Sequence, residues 1–340
     1  MKRGNFYPRI EPSGPTVDSQ IRRELTAILP EDFFRRSPGR LVYLAVAWFC
    51  MLLHLWVTAV YVAGGFHLVI YLLTLAAAAG TFPFFLFTLH ELGHGAIVRA
   101  RWARALFGAL AGFWIPFQPA FWSRTHSHHH AHANMEADTD RLKFYDRGEL
   151  GARFFDFNLR NFVSIPSATF ALQIVYLHCF LGFLLKEIDY PMSRTRAVIQ
   201  VTVHLFVLVT FLALMGWWVA LLGYLPVLVL GSAMQNMYVI TNHLTRPLTS
   251  QLDALSTGLS VHFYGKSHMG FGRHVEHHLF PGVSHAKLRL ITRLLRERYP
   301  ERFQEMPIHR AVGRLFNLPG YFYSYKVLTD RRGRLKVPID

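Results

Sequence analysis

The stretch LHELGHGAIVRA, Leu89 to Ala100, lies where a long apolar run gives way to charge. On a helix, His90 and His94 fall one turn apart on a single face. That spacing suits two imidazoles on one metal ion, with Glu91 between them as a general base. It serves equally well as one part of a larger metal centre whose other ligands lie elsewhere. The surrounding apolar runs and the remaining histidines separate these readings.

Working outward, the chain of 340 residues is 52% hydrophobic and 17% charged, below the roughly 25% charge usual for soluble domains. Its apolar residues are gathered into long runs, which reads as an integral membrane protein. Two cysteines, Cys50 and Cys179, both inside apolar runs, exclude a disulfide framework or a cysteine zinc site. The N-terminus up to Arg40 is polar, so no cleavable signal peptide is expected. The net charge of +15 reads as basic loops beside a membrane rather than as nucleic-acid binding.

Upstream of His90, Leu41 to Ala63 and Phe66 to Leu89 form two apolar runs joined by a short GGF turn. Each is long enough to cross a bilayer, which takes about 20 helical residues. Arg22, Arg23, Arg35, Arg36 and Arg40 precede this hairpin, and Arg99, Arg101 and Arg104 follow it. Both ends are therefore expected on the cytoplasmic side. Leu106 to Trp122 is broken by Pro116 and Pro119 and reads as re-entrant or interfacial. Phe162 to Leu185 and Arg196 to about Leu222 supply two more crossings; the sequence GYLP at Gly223 to Pro226 then predicts a break and an interfacial segment. The expected fold is mostly α: about four transmembrane helices with a cytoplasmic helical cap. The expected division is an N-terminal segment (1–40), a membrane domain (41–290) and a basic cytoplasmic tail (291–340).

Most of the 19 histidines fall in four places. They are HELGH (His90, His94), THSHHHAHAN (His126, His128, His129, His130, His132), TNHLTRP (His243) and HVEHHLFP (His274, His277, His278). Positions i, i+3 and i+4 share a helix face, so H-x-x-H-H aims three imidazoles to one side. His126, His129 and His130 fit that pattern, as do His274, His277 and His278; His128 and His132 are surplus. Such a donor set is too large for one tetrahedral zinc. It suits two metals with open positions, and neutral imidazole suits iron as well as zinc or copper.

These three boxes resemble those of the membrane fatty acid desaturases, and HVEHHLFP resembles the third box of that family nearly letter for letter. ILPEDFFRRSPGRLVYL, Ile28 to Leu44, resembles the approach segment of desaturases acting toward the methyl end of acyl lipids. The similarity runs from about Ile28 to about Leu290. It implies a non-haem di-iron site held by His90, His94, His126, His129, His130, His274, His277 and His278, with His243 as an extra ligand. Family members with an N-x-x-x-H element carry asparagine four residues before that last histidine, where this chain has Val239, with Asn236 and Asn242 nearby.

The resemblance implies a dioxygen-dependent oxidoreductase that introduces a cis double bond into an acyl chain carried by a lipid or a thioester. The alternative is the same centre used as a hydroxylase or ketolase on alkyl, sphingoid or carotenoid substrates. The chain carries no flavin, nucleotide or haem fingerprint, so a separate ferredoxin or cytochrome is implied as electron donor. The first box also resembles that of intramembrane site-2 zinc proteases. A third zinc ligand in an N-P-D-G-like context is lacking, however, and the other histidine clusters would be left without a role. Glu91 is then expected to orient a histidine from outside the ligand set.

Overall fold

A computed structural model describes residues 16–65, 67–135, 137–140, 165–186, 188–243, 246–263, 268–317, 321–324, 326–330 and 334–338. The chain is mostly helical and divides into two compact units interleaved along the sequence: Arg36–Ser123 with Met192–Asn236, and Met1–Arg35 with Arg124–Pro191 and Met237–Asp340. Among the described residues, four helical stretches are long and apolar enough to cross a membrane: Pro38–Val62, Leu68–Gly93, Arg194–Met215 and Trp217–His243.

In the first unit, α2 (Leu41–Val62) has no charged residue over 22 positions, about 33 Å of helix at about 1.5 Å per residue. After a turn at Gly64 the chain returns through α3 (Leu68–Thr81) and α4 (Pro83–Gly93). Pro83 opens α4 in its first turn, where its missing N–H is not needed. α5 (Arg101–Gly112) is too short to cross and ends before the prolines, as the sequence suggested. α6 (Pro119–His132) restarts with Pro119 at its first position, and from Arg124 onward it belongs to the second unit. Within the first unit Trp114 is fully buried, against Trp48 at 5.2 Å and Phe211 at 5.4 Å between ring centroids. Its carbonyl accepts a hydrogen bond from the Tyr224 hydroxyl at 2.8 Å.

The last crossings differ from the sequence expectation. α7 (Ile165–Leu184) is helical, although Phe162 to Ser164 of the predicted crossing lie outside the described residues. α8 (Arg194–Met215) stops at Gly216, whose φ of 96° belongs to glycine. The chain then continues through α9 (Trp217–Val219), a π-turn at Ala220–Tyr224 and α10 (Leu225–His243) as one long apolar stretch. GYLP therefore ends nothing. Pro226 sits in the first turn of α10, where it is tolerated, directly after a π-turn. The expected interfacial segment is part of a stretch long enough to cross. Gly231 lets α10 approach closely, since a Cβ there would overlap the Phe82 side chain.

The second unit builds its core from α1 (Val17–Thr26), α11 (Ala254–Thr257), α12 (His274–Leu279) and α13 (Arg289–Arg298). Ile21, Leu25, Leu255, Val275, Leu279, Leu288, Ile291 and Leu295 form one buried apolar cluster. The strands β1 (Ser260–His262) and β2 (Glu305–Pro307) pair in parallel beside it. α14 (Ile308–Asn317) follows, and β3 (Tyr321–Ser324), β4 (Val327–Thr329) and β5 (Lys336–Pro338) make a small antiparallel sheet. Lys287 ties the approach segment to this unit through the carbonyls of Asp32, Phe33 and Arg35.

Asp18 on α1 accepts the Ala254 N–H at 2.7 Å, and burial pushes its carboxyl up to about 6. A raised folded-state value means the native protein holds this proton more tightly than the unfolded chain. Stability is then lost as pH rises from about 4 through about 6, by roughly 3 kcal/mol at about 1.36 kcal/mol per unit. Asn keeps the acceptor without the charge. Asp18→Asn is expected to raise the melting temperature above pH 7 and to give little gain near pH 4, measured by pH-dependent thermal denaturation in micelles. An equal effect at both pH values would contradict this account.

Candidate metal centre

The histidines sit where helical periodicity puts them. α12 is only six residues long, yet all six are buried. Val275 and Leu279 enter the apolar cluster, so His274, His277 and His278 share the opposite side. Glu276, on a third side, accepts from Ser260 Oγ and from Thr292 Oγ1. The helix is held on two sides and presents imidazole on the other.

Two groups of ring nitrogens result in this unit. In the first, His126 Nε2 and His130 Nε2 are 3.0 Å apart, and His277 Nε2 is 3.0 Å from His130 Nε2. In the second, the ligand atoms of His129, His243, His274 and His278 all lie within 4.8 Å of one another. His243 Nε2 is 2.6 Å from that of His274 and 3.1 Å from that of His278, which are themselves 3.1 Å apart. Each box is split. His126 and His130 serve one group and His129 the other; His274 and His278 serve one and His277 the other.

The outer nitrogens decide what the inner ones offer. His129 Nδ1–H donates to Asp138 at 3.0 Å, and His243 Nδ1–H donates to the Thr257 carbonyl at 2.8 Å. With the proton on Nδ1, a neutral His243 ring points its Nε2 lone pair inward, whereas His129, paired with Asp138, carries a second proton on Nε2 that a bound cation would displace. Burial holds His274 and His278 well below the usual histidine range, so both stay neutral. Three mutually facing Nε2 atoms of neutral rings cannot all be paired as donor and acceptor, because a triangle of contacts has an odd number of members. Buried lone pairs left facing one another are costly, and a cation at their centre satisfies all of them. The donor set therefore fits a metal of the imidazole-preferring kind.

Around His129, burial alone would lower the ring, but Asp138 and Asp140 outweigh it and raise it to about 9. Burial would raise Asp138, yet the His129 charge and hydrogen bond hold it below the ordinary carboxylate range. Asp138 also accepts the backbone N–H of Asn134 at 2.8 Å. Asn134, with a φ of 53°, sends its amide to the carbonyls of His243 and Pro247 at 3.2 and 3.1 Å. That contact fastens the end of α6 to the end of α10. Neither Asp138 nor Asn134 belongs to a histidine box, although D-T-D at 138–140, shortly after the second box, is a usable signal for Asp138.

A family model for fatty acid desaturases matches residues 68–309, well over half of the chain. The chain belongs to the fatty acid desaturase family. A search of curated proteins finds no match. Membership makes the chain an oxidoreductase of the desaturase and hydroxylase type, from a family of di-iron enzymes.

In this desaturase-family chain the first box lies in the other unit, at the end of α4. His90 is buried, and its ring stands 5.0 Å from that of His94. Glu91 between them carries an ion pair that the sequence did not announce. Arg40 Nε and Nη2 each donate to one of its oxygens at 3.0 Å. Both partners are buried, and an oxygen pair gripped by a guanidinium is poorly suited to act as a general base. The surplus histidines turn elsewhere. His128 and His132 stack on each other at 4.3 Å, and His132 Nδ1 meets the His128 carbonyl at 2.9 Å. Outside the four histidine clusters, His285 is buried and stacks on His277 at 4.7 Å. The Asn242 side chain is also buried, and neither polar atom of its amide has a hydrogen-bond partner.

These contacts separate the histidines by measurement. Metal content of purified protein is expected to fall in His126→Ala, His129→Ala and His130→Ala, and to be kept in His128→Ala and His132→Ala. Asp138→Asn is expected to weaken metal binding by roughly 10–100-fold, the usual loss when a partner behind a ligand is removed. Loss of metal in His128→Ala with retention in His126→Ala would contradict the arrangement.

Proposed function

We propose that the protein is a dioxygen-dependent acyl desaturase that makes a cis double bond in a membrane acyl chain. In this reading two irons are held by His90, His94, His126, His129, His130, His243, His274, His277 and His278. The observation that carries it is the pair of groups of converging imidazole nitrogens in a desaturase-family chain. Iron, unlike zinc, supplies the redox change needed to reduce dioxygen. The overall balance removes two hydrogens from adjacent methylenes and, with two protons and two electrons, turns one dioxygen into two waters.

The chain's own residues hold and orient. Asp138 and the Thr257 carbonyl set the tautomers of His129 and His243. Burial of His274, His277 and His278 keeps bulk water from the donor atoms. The four apolar stretches support a bilayer setting and a lipid substrate, presented as an acyl lipid or an acyl thioester. Arginines before α2 and after α4 support a topology with both termini and the metal site on the cytoplasmic side. The two electrons come from a separate ferredoxin or cytochrome.

The reaction is tested by adding the gene to desaturase-deficient membranes that contain such a donor, then profiling the acyl chains. The expected product is a new cis-unsaturated chain, absent in a His277→Ala control. A new hydroxyl or keto group without unsaturation would replace this reading with that of a hydroxylase or ketolase. An unchanged lipid profile with iron-loaded protein and donor present would refute both.

A further inference from the structure

Away from the imidazole faces, a cavity of about 490 Å³ opens between β1 and α13. Its floor is polar: Glu276, whose oxygens accept from the Ser260 and Thr292 hydroxyls. Its walls carry Arg273, Arg289, Arg293 and Arg296, with Glu305 at one side. A cavity this size is in the range that takes small ligands, roughly 300–1,000 Å³.

The charges do not cancel. Arg296 is spent on Glu305, Nε to Oε1 at 2.6 Å and Nη2 to Oε2 at 2.8 Å. The Arg273 charge acts on Glu276 beneath it. Arg289 and Arg293 are left over. They stand one turn apart on α13, both exposed, and no carboxylate pairs with either among the described residues. Like charges at i and i+4 repel on a helix, by a few tenths of a kcal/mol. Other cations nearby are neutralised, Arg302 by Asp253 at 2.7 Å. Two surplus guanidinium forks beside one polar cavity match the oxygens of a phosphate.

We propose that this cavity is a binding site for a phosphate monoester, with Arg289 and Arg293 gripping the phosphate and the polar floor receiving the rest of a hydrophilic ligand. The site is independent of the reaction assigned above. Its surplus of two positive charges matches a phosphate dianion, and its volume exceeds what phosphate alone would fill. The same chemistry is offered by a soluble phosphate ester and by an anionic lipid headgroup.

The test titrates full-length protein in neutral micelles at fixed ionic strength with two probes, glycerol 3-phosphate and dioctanoyl phosphatidic acid. Saturable binding of at least one probe is expected. It should weaken at least tenfold in the Arg289→Gln/Arg293→Gln double variant and severalfold in Arg293→Lys, which keeps the charge and loses the fork. Arg298→Gln, an exposed cation outside the cavity, should bind as the native protein does. Binding of the soluble ester alone, of the lipid alone or of both assigns the source as soluble, lipid or either. All variants should keep the ligand-free melting temperature, since these side chains are exposed. Absence of binding by both probes, equal binding by the double variant, or an equal loss in Arg298→Gln would overturn the proposal. So would an acidic protein partner held by the same arginines when neither phosphate probe binds.

Discussion

The arrangement of the candidate metal centre depends on a mismatch between the helical repeat and the spacing of H-x-x-H-H. At 3.6 residues per turn, i and i+4 are about 40° apart, whereas i+3 lies about 100° from i+4 on the other side of i. One box on one helix cannot aim all three imidazoles at one point. In α6 the i and i+4 members, His126 and His130, go to one group and the i+3 member, His129, goes to the other. In α12 the assignment is reversed: His274 and His278 stay together, and His277 crosses over. Two short helices that each split their box can thus serve two metals between them.

Such an arrangement costs stability wherever polar nitrogens are buried, and the surrounding residues offset that cost. Outer nitrogens are given acceptors, Asp138 for His129 and the Thr257 carbonyl for His243. The helix carrying the third box is pinned by apolar contacts of Val275 and Leu279 and by the hydroxyls on Glu276. In the other unit, Arg40 meets Glu91 in a buried pair between two helix ends. Removing one member of such a pair typically costs about 3–5 kcal/mol, because the survivor is left charged in a dry place. Conserving the geometry of the imidazoles is thus a task shared by residues that carry no metal chemistry.

How much of this could be read from the sequence varied with the range of the interactions. The first two apolar runs, the short broken segment after them and the helical spacing of the boxes are local patterns, and the structure follows them. The stretch after Gly216 departs from its local pattern, because a proline predicts a break but at position 226 falls in a first turn where it breaks nothing. The roles of Asn134 and Arg40 are invisible for a different reason. Each acts on a residue set apart in the chain, Asn134 on His243 and Arg40 on Glu91. No periodicity announces such partners. The split of each box between two groups was also beyond the pattern, which shows that three imidazoles share a face but not where their targets lie.

The account rests on two metals, each drawing ligands from both α6 and α12. Anomalous diffraction at the iron absorption edge, from crystals of the full-length iron-loaded protein, tests this most directly. The account predicts two iron peaks: one in contact with His129, His243, His274 and His278, the other in contact with His126, His130 and His277. A single peak, or one bound by His274, His277 and His278 together, would contradict it.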